Sequence, residues 1–127
     1  MIRSTRQRRA IQKAFERASR PLGPKEVHDA AVDEVPGLGI ATVYRTIKEL
    51  VDVGGIVPVD LPGESTRYEL SGKHHHHHFR CRSCDRVFEI EACIQNFRAD
   101  VPAGFRLEDH EIVLYGLCAE CAGKGME

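Results

Sequence analysis

The sequence predicts an α+β protein built from two small domains, and three observations support this. Apolar residues recur at helical spacing in the first half of the chain, whereas the second half contains short strand-like segments. The 127 residues include no tryptophan and few other aromatics, which disfavours one large core. Two Cys-x-x-Cys pairs, at 81–84 and 118–121, offer metal support for a small second domain. We place the domains at 1–70 and 74–127, joined by a hinge at 71–73.

Three amphipathic helices are predicted in the first domain. The first spans Thr5 to Ala18, and the second begins at Pro24, a residue that suits the first turn of a helix, and runs to about Val32. The third runs from about Ala41 to Val53 and ends at Gly54-Gly55, where a left-handed residue is permitted. Its predicted buried residues are Val43, Ile47, Leu50 and Val51.

Two strands follow the third helix, from Ile56 to Leu61 and from Thr66 to Leu70, and the turn residues Pro62-Gly63-Glu64-Ser65 join them. Three short helices and a hairpin are typical of a winged helix-turn-helix domain, whose third helix enters the major groove of DNA. The residues off the buried stripe of that helix are the predicted DNA contacts: Thr42, Tyr44, Arg45 and Lys48.

The charge distribution favours the same partner. Residues 1–25 carry eight basic side chains and one acidic one, whereas the remainder carries ten basic and eighteen acidic ones. A basic head on an acidic body indicates a polyanion bound by one end of the chain, such as double-stranded DNA.

The second domain is predicted to be a small α/β dimerisation domain. Strands are expected at 77–82, 87–91 and 111–115, and a short helix from Ala92 to Val101, stopped by Pro102. One helix cannot cover both faces of such a sheet, so we expect a second copy of the chain to cover it, giving a homodimer.

The cysteine pairs predict a closed four-thiolate zinc site, formed by Cys81, Cys84, Cys118 and Cys121. Two disulfides are the alternative, but these need an oxidising compartment, and the sequence shows neither a secretion signal nor a run of apolar residues that could span a membrane. We therefore expect a cytoplasmic protein with a structural zinc ion.

A run of five histidines, 74–78, leads directly into the first cysteine pair. A purification tag is the simplest alternative, but tags sit at a terminus and this run lies in mid-chain. Because side chains on a strand alternate between faces, His74, His76 and His78 would point one way and His75 and His77 the other. One short run could therefore supply two separate metal sites.

The residues resemble the ferric uptake regulator family of bacterial metal-responsive repressors over nearly the whole chain. The resemblance is carried by Thr5-Arg6-Gln7-Arg8, by Ala41 to Thr46, by the histidine run before Cys81, and by Tyr115 to Cys121. It implies a winged-helix DNA-binding domain, a hinge, and a dimerisation domain that carries the cysteine zinc site. Tyr44 and Arg45 match positions at which the family contacts DNA.

The resemblance also implies two further metal sites. A regulatory site would use Glu69, His76, His78 and Glu89, and a further site would use His75, His77 and His110. The alternation of side chains on a strand independently gives the same division of the histidines.

Three departures from the family pattern affect the choice of metal. Pro21 stands where many iron and peroxide sensors have a histidine, Asn96 where the family has an acidic ligand, and His77 where ferric regulators often have an aspartate. These departures make the set of metal ligands richer in imidazole and poorer in carboxylate. Such a set favours Zn²⁺ over Fe²⁺ as the regulatory metal. Residues that could add a ligand are left open: His28, Asp60, Glu91 and Cys93.

These features predict a repressor that controls metal-uptake genes, responding to zinc or alternatively to iron. A metal storage or delivery protein would explain the histidines but not the basic head. A zinc hydrolase needs an open coordination position and a general base in a pocket, for which the sequence offers no signal. We therefore expect no enzyme activity and no small-molecule substrate.

Overall fold

The computed structural model describes residues 2–73, 75–91 and 101–124. It divides into two compact units, Met1–Lys73 and His74–Glu127. The helix predicted from Ala92 lies almost entirely outside the described residues, as do Cys93 and Asn96. Within the described residues, the combination of helices with two small sheets confirms the α+β fold class.

The first unit has three helices followed by a hairpin. The helices are α1 (Ile2–Ala18), α2 (Pro24–Ala31) and α3 (Ile40–Asp52), and the strands are β1 (Ile56–Val59) and β2 (Arg67–Leu70). The strands pair antiparallel, with Ile56 opposite Leu70, and a bridge from Leu22 to Tyr68 ties the segment before α2 to the hairpin. This is the winged helix-turn-helix order that the sequence predicts, although α1 begins three residues before Thr5.

Local chemistry explains the helix ends of this unit. Pro24 opens α2, and a carboxylate oxygen of Glu26 accepts a hydrogen bond from the backbone N–H of Gly23 at 3.0 Å. This bond satisfies an amide that lacks a helical partner. After α3 the chain turns at Gly54, whose φ of 80° is unfavourable for residues with a side chain.

The three helices share one apolar core with the start of β1. Phe15 is 2% exposed and Ile11, Val27 and Val43 are fully buried. In α3 the buried residues are Val43, Thr46, Ile47 and Leu50, whereas Val51 is only partly buried, so Thr46 takes the place predicted for Val51.

The second unit contains a three-stranded sheet and a short final helix. The strands are β3 (His77–Cys81), β4 (Val87–Ile90) and β5 (Val113–Gly116), and the helix is α4 (Ala119–Lys124). The strand order is β4-β3-β5; β3 pairs antiparallel with β4 and parallel with β5. The sequence did not predict α4, because six residues are too few to show a helical period.

The parallel pair positions the cysteines. Cys81 at the end of β3 lies opposite Gly116 at the end of β5. Because parallel strands end at the same edge of a sheet, the residues that follow each strand emerge together.

Within the described residues, no helix is both long enough and apolar enough to cross a bilayer.

Candidate metal centres and nucleic-acid interface

The four cysteines of the two Cys-x-x-Cys pairs converge in the second unit. Their sulfur atoms all lie within 4.8 Å of one another, and Sγ of Cys84 is 3.9 Å from Sγ of Cys118. All four are free thiols. The backbone N–H of Cys81 donates to the carbonyl of Arg86 at 3.0 Å and closes the loop between β3 and β4, in which Asp85 adopts a positive φ of 65°.

The electrostatics of this cluster differ from one sulfur to the next. Hydrogen bonds from the backbone of Cys84, and then of Cys118, lower the pKa of Cys81 to about 6. Burial would raise the pKa of Cys84, but hydrogen bonds from the side chain and backbone of Arg86 and from Cys121 act in the opposite direction, and the pKa is lowered. Although a hydrogen bond from Ser83 acts in the opposite direction, contacts with Cys118 and the other cysteines raise the pKa of Cys121 to about 11.

These properties fit a structural zinc ion. The loop already stabilises part of the thiolate charge, and a divalent cation is needed to hold all four sulfurs in that form at neutral pH. Four thiolates fill a tetrahedral coordination shell and leave no open position for catalysis.

A second cluster joins His75, His77 and His110. The Nε2 atom of His75 lies 3.1 Å from Nε2 of both other rings. The side chain of His77 is buried, and burial, followed by the neighbouring His75 and His110, lowers its pKa below 6.5. A neutral imidazole is the form that binds a metal ion, so this cluster suits a cation.

One contact in this cluster opposes metal binding. The backbone N–H of Ile112 donates to Nδ1 of His77 at 3.2 Å. In a neutral ring that accepts at Nδ1, the proton sits on Nε2. For an ion to bind that Nε2 of the neutral ring, the proton must move to Nδ1, and the hydrogen bond from Ile112 is then lost.

The residues predicted for the regulatory site occur in both units. In the second unit the rings of His76 and His78 lie with centroids 4.9 Å apart, and His78 is the register partner of Glu89 on β4. In the first unit Glu69 lies on β2 and is buried, with its carboxylate 3.9 Å from Nζ of Lys73.

Two of the residues left open as extra ligands have partners of their own. Asp60 accepts a hydrogen bond from Thr66 at 2.8 Å in the hairpin turn, and Nε2 of His28 lies 2.7 Å from the carbonyl of Leu38. These contacts give both residues structural roles within the first unit.

The outer face of α3 is polar and accessible. Tyr44 is 59% exposed, and Arg45 and Lys48 are also exposed, whereas Thr42 is partly buried and accepts a hydrogen bond from Arg45 at 3.3 Å. Such a face can enter a groove of DNA.

Part of the basic head is paired within the first unit. Arg8 contacts Glu49 at 3.1 Å, and Lys13 contacts Glu34 at 3.1 Å. Counting charges along the sequence therefore overstates the number of cations available to phosphate. These pairs join residues 41 and 21 positions apart, so sequence spacing could not reveal them.

Sequence reasoning also missed three residues that lie beside the cysteine and histidine clusters: Arg86, Glu120 and Ile112. Arg86 contacts sulfur, Glu120 contacts Arg86, and Ile112 contacts His77. The only available signal was a basic residue two positions after the first cysteine pair.

The chain combines a winged helix-turn-helix unit with clusters of cysteine and histidine side chains that can bind metal ions. This combination is typical of metal-responsive DNA-binding regulators. The sequence profile described as "Ferric uptake regulator family" matches residues 1–115. The chain therefore belongs to the ferric uptake regulator family, whose members are transcriptional regulators and not enzymes.

Named relatives within this family differ in the metal they are named for. The ferric uptake regulation protein of Campylobacter upsaliensis is 30% identical over 128 residues, covering 97% of this chain and 82% of that protein. A zinc-bound manganese uptake regulator is 31% identical with a TM-score of 0.79, covering 88% of this chain and 87% of its own. FurB of M. tuberculosis, a zinc uptake regulator, is 30% identical with a TM-score of 0.53, covering 94% and 95%.

Proposed function

We propose that the chain is a zinc-responsive repressor that binds an operator in double-stranded DNA as a homodimer and controls metal-uptake genes. The observation that carries this proposal is the coexistence, in one small unit, of a closed four-sulfur cluster and a separate set of histidines. A winged helix-turn-helix unit in the same chain supplies the DNA-binding element.

The two kinds of cluster have different roles in this proposal. Cys81, Cys84, Cys118 and Cys121 hold a structural zinc ion that stabilises the second unit, because their coordination shell is complete without solvent or substrate. The histidines hold exchangeable metal, because neutral imidazoles release an ion more readily than four thiolates do.

Ligand distribution along the chain provides the switch. The proposed regulatory site takes Glu69 from the first unit and His76, His78 and Glu89 from the second, and the segment 71–73 connects the two. A site whose ligands come from both sides of a hinge is complete in only one arrangement of the units. The further site takes His75, His77 and His110, all from the second unit.

The consequence for DNA binding follows from linkage. In a dimer, two recognition helices bind successive major grooves only when they are about 34 Å apart. If the arrangement that completes the regulatory site is also the one with this spacing, metal and DNA favour the same state. Each then strengthens binding of the other by the same factor, typically about 1–3 kcal/mol.

Two features of the second unit support dimer formation. In the described part of its sheet, β5 is an edge strand, and Leu114, Tyr115 and Leu117 nearby are 36–46% exposed. A second copy that covers this apolar edge would remove it from water.

A dimer bound to promoter DNA would block transcription, and a bacterial regulator of this kind acts in the cytoplasm.

The histidines favour zinc as the regulatory metal, and Pro21 supports the same choice. Its side chain is fully buried in the first unit at a position where iron and peroxide sensors of the family often have a histidine ligand. Iron response is the second candidate, because the curated relatives are named for ferric uptake. Metal storage does not account for the exposed face of α3.

A gel-shift titration tests the proposal. Protein purified with only its thiolate-bound zinc is mixed with a palindromic duplex at controlled free Zn²⁺, Fe²⁺ and Mn²⁺ concentrations. We expect binding to appear at the lowest free concentration with Zn²⁺ and to disappear with a chelator. DNA binding that does not change when metal is added would refute the switch. DNA binding that increases with Fe²⁺ alone would identify iron as the regulatory metal.

A further inference from the structure

Arg86 makes direct contact with the cysteine cluster. Its Nε–H donates to Sγ of Cys84 at 3.1 Å, and its Nη2–H donates to Sγ of Cys118 at 3.8 Å. These sulfurs belong to different Cys-x-x-Cys pairs. One guanidinium group therefore contacts a sulfur from each half of the proposed zinc site.

Several contacts fix the guanidinium in this position. Its Nη2 lies 2.7 Å from a carboxylate oxygen of Glu120, and its Cζ lies 5.6 Å from the centre of the Phe88 ring. At the backbone, the Arg86 carbonyl accepts the N–H of Cys81, a residue of the same cluster. The side chain is thus held from β4, from α4 and from its own loop.

Charge explains why a cation belongs at this place. Four thiolates around one divalent ion carry a net charge of −2, which is costly in a partly buried setting. A guanidinium remains protonated at any physiological pH and offers N–H donors in a fixed plane. A lysine at this position would supply the charge but could not direct two donors to two sulfurs 3.9 Å apart with the same geometry.

We propose that Arg86 is a positioning residue for the four-thiolate metal centre, where its two N–H donors stabilise the thiolates of Cys84 and Cys118 and slow the loss of zinc. Glu120 orients the guanidinium for this role. The inference rests on the proposed zinc site, and it assigns to Arg86 no contact with the ion itself. Hydrogen bonds of this outer kind commonly change metal affinity by about 10–100-fold.

The test compares Arg86→Met with Arg82→Met. Arg82 lies in the same loop, but its guanidinium lies 5.0 Å from the centre of the Tyr115 ring, so the control removes an equal charge without removing a donor to sulfur. Zinc release from the 127-residue chain to a chromogenic chelator is measured for both. We expect Arg86→Met to release zinc about 10–100-fold faster than wild type and Arg82→Met to stay close to wild type.

Spectroscopy separates this role from simple packing. In the cobalt-substituted protein, hydrogen bonds to thiolate lower the energy of the sulfur donor electrons, so Arg86→Met should shift the sulfur-to-cobalt charge-transfer band to lower energy. Arg86→Lys should fall between wild type and Arg86→Met in both measurements, and Glu120→Gln should show a smaller shift of the same sign. Circular dichroism of each loaded protein checks that it is folded.

The outcomes distinguish two failures. If wild-type protein gives no sulfur-to-cobalt band, the four-thiolate site itself is refuted. If wild type gives the band but Arg86→Met and Arg82→Met match in release rate and spectrum, the positioning role is refuted while the site stands. If Arg86→Met does not fold, Arg86→Lys and Glu120→Gln decide, and wild-type behaviour in both would refute the role.

Discussion

Sγ of Cys84 lies 3.9 Å from Sγ of Cys118, although the two residues are 34 positions apart in the chain. Cys84 belongs to the loop between β3 and β4, and Cys118 lies between β5 and α4. A metal ion shared by the four cysteines would therefore close a long loop and join two segments that leave the same edge of the sheet. Without it, the second unit has few buried apolar side chains to hold it together, Cys81, Val87 and Cys118 being those described as buried there.

The first prediction concerns this structural role. We expect Cys81→Ser to abolish stoichiometric zinc and to unfold the second unit, because structural zinc contributes on the order of 10 kcal/mol of apparent binding free energy in small metal-dependent modules. Metal analysis and hydrogen exchange report the two effects. Cys93→Ser is the matched control, since Cys93 is in neither pair, and it should retain the zinc. A folded, dimeric Cys81→Ser protein would contradict the prediction.

The sequence predicted the elements whose signal is local. Apolar spacing in α3 and the glycines after it located that helix to within one residue at each end. Alternation along a strand separated His75 and His77 from His76 and His78, and the rings lie in those two groups. Both signals come from residues within a few positions of one another.

Long-range pairing had no such signal. The parallel register of β3 with β5 joins His78 to Val113, and no turn between them fixes it. The contact of Arg86 with Cys118 depends on this register, so it could not be predicted either. Burial of Thr46 in place of Val51 similarly depends on which neighbours α3 meets in the core.

The second prediction separates the regulatory site from the structural one. His76→Ala should give a folded dimer that keeps its thiolate-bound zinc but no longer tightens on DNA when metal is added, because a ligand of the proposed regulatory site is lost. Gel shifts with and without added Zn²⁺ measure the response. His75→Ala alters the other histidine group, so this variant should retain a larger part of the metal-dependent increase in DNA binding. Collapse of the fold in His76→Ala would mean that the two roles are assigned to the wrong clusters.

The third prediction concerns the exposed face of α3. Arg45→Ala should weaken specific DNA binding by about 10–100-fold, since a good side-chain contact to a base contributes about 1–3 kcal/mol of discrimination. Arg106→Ala is the control: its side chain is 86% exposed and belongs to the second unit, so the substitution removes the same charge without altering α3. Fluorescence anisotropy with operator and scrambled duplexes measures both. Equal losses for the two variants would show that only net charge matters.

The fourth prediction follows from the lowered pKa of His77 in protein that carries only thiolate-bound zinc. Burial holds the pKa of the folded state below 6.5, so the unfolded chain takes up this proton first as the pH falls. The stability contribution is present above pH 6.5 and is lost as the pH drops toward the folded-state pKa. Urea unfolding of the second unit at about pH 7.5 and about pH 5.5 should show a larger loss in wild type than in His77→Gln. An equal loss in both would exclude His77 as the source.

The fifth prediction tests whether the units fold separately. Phe15 is 2% exposed in the core formed by α1, α2 and α3, and Phe15→Ala should destabilise the first unit by about 3–5 kcal/mol, because the removed ring leaves a cavity that the helices fill only partly. DNA binding should then be lost, whereas the zinc content and the dimer, both assigned to the second unit, should persist. Phe105→Ala is the matched control, since that ring is 69% exposed and its removal should cost little. Denaturant unfolding followed by separate probes in each unit, together with metal analysis, measures these effects. Loss of zinc or of the dimer in Phe15→Ala would show that the second unit depends on the first for its stability, and the division of roles between the units would have to be redrawn.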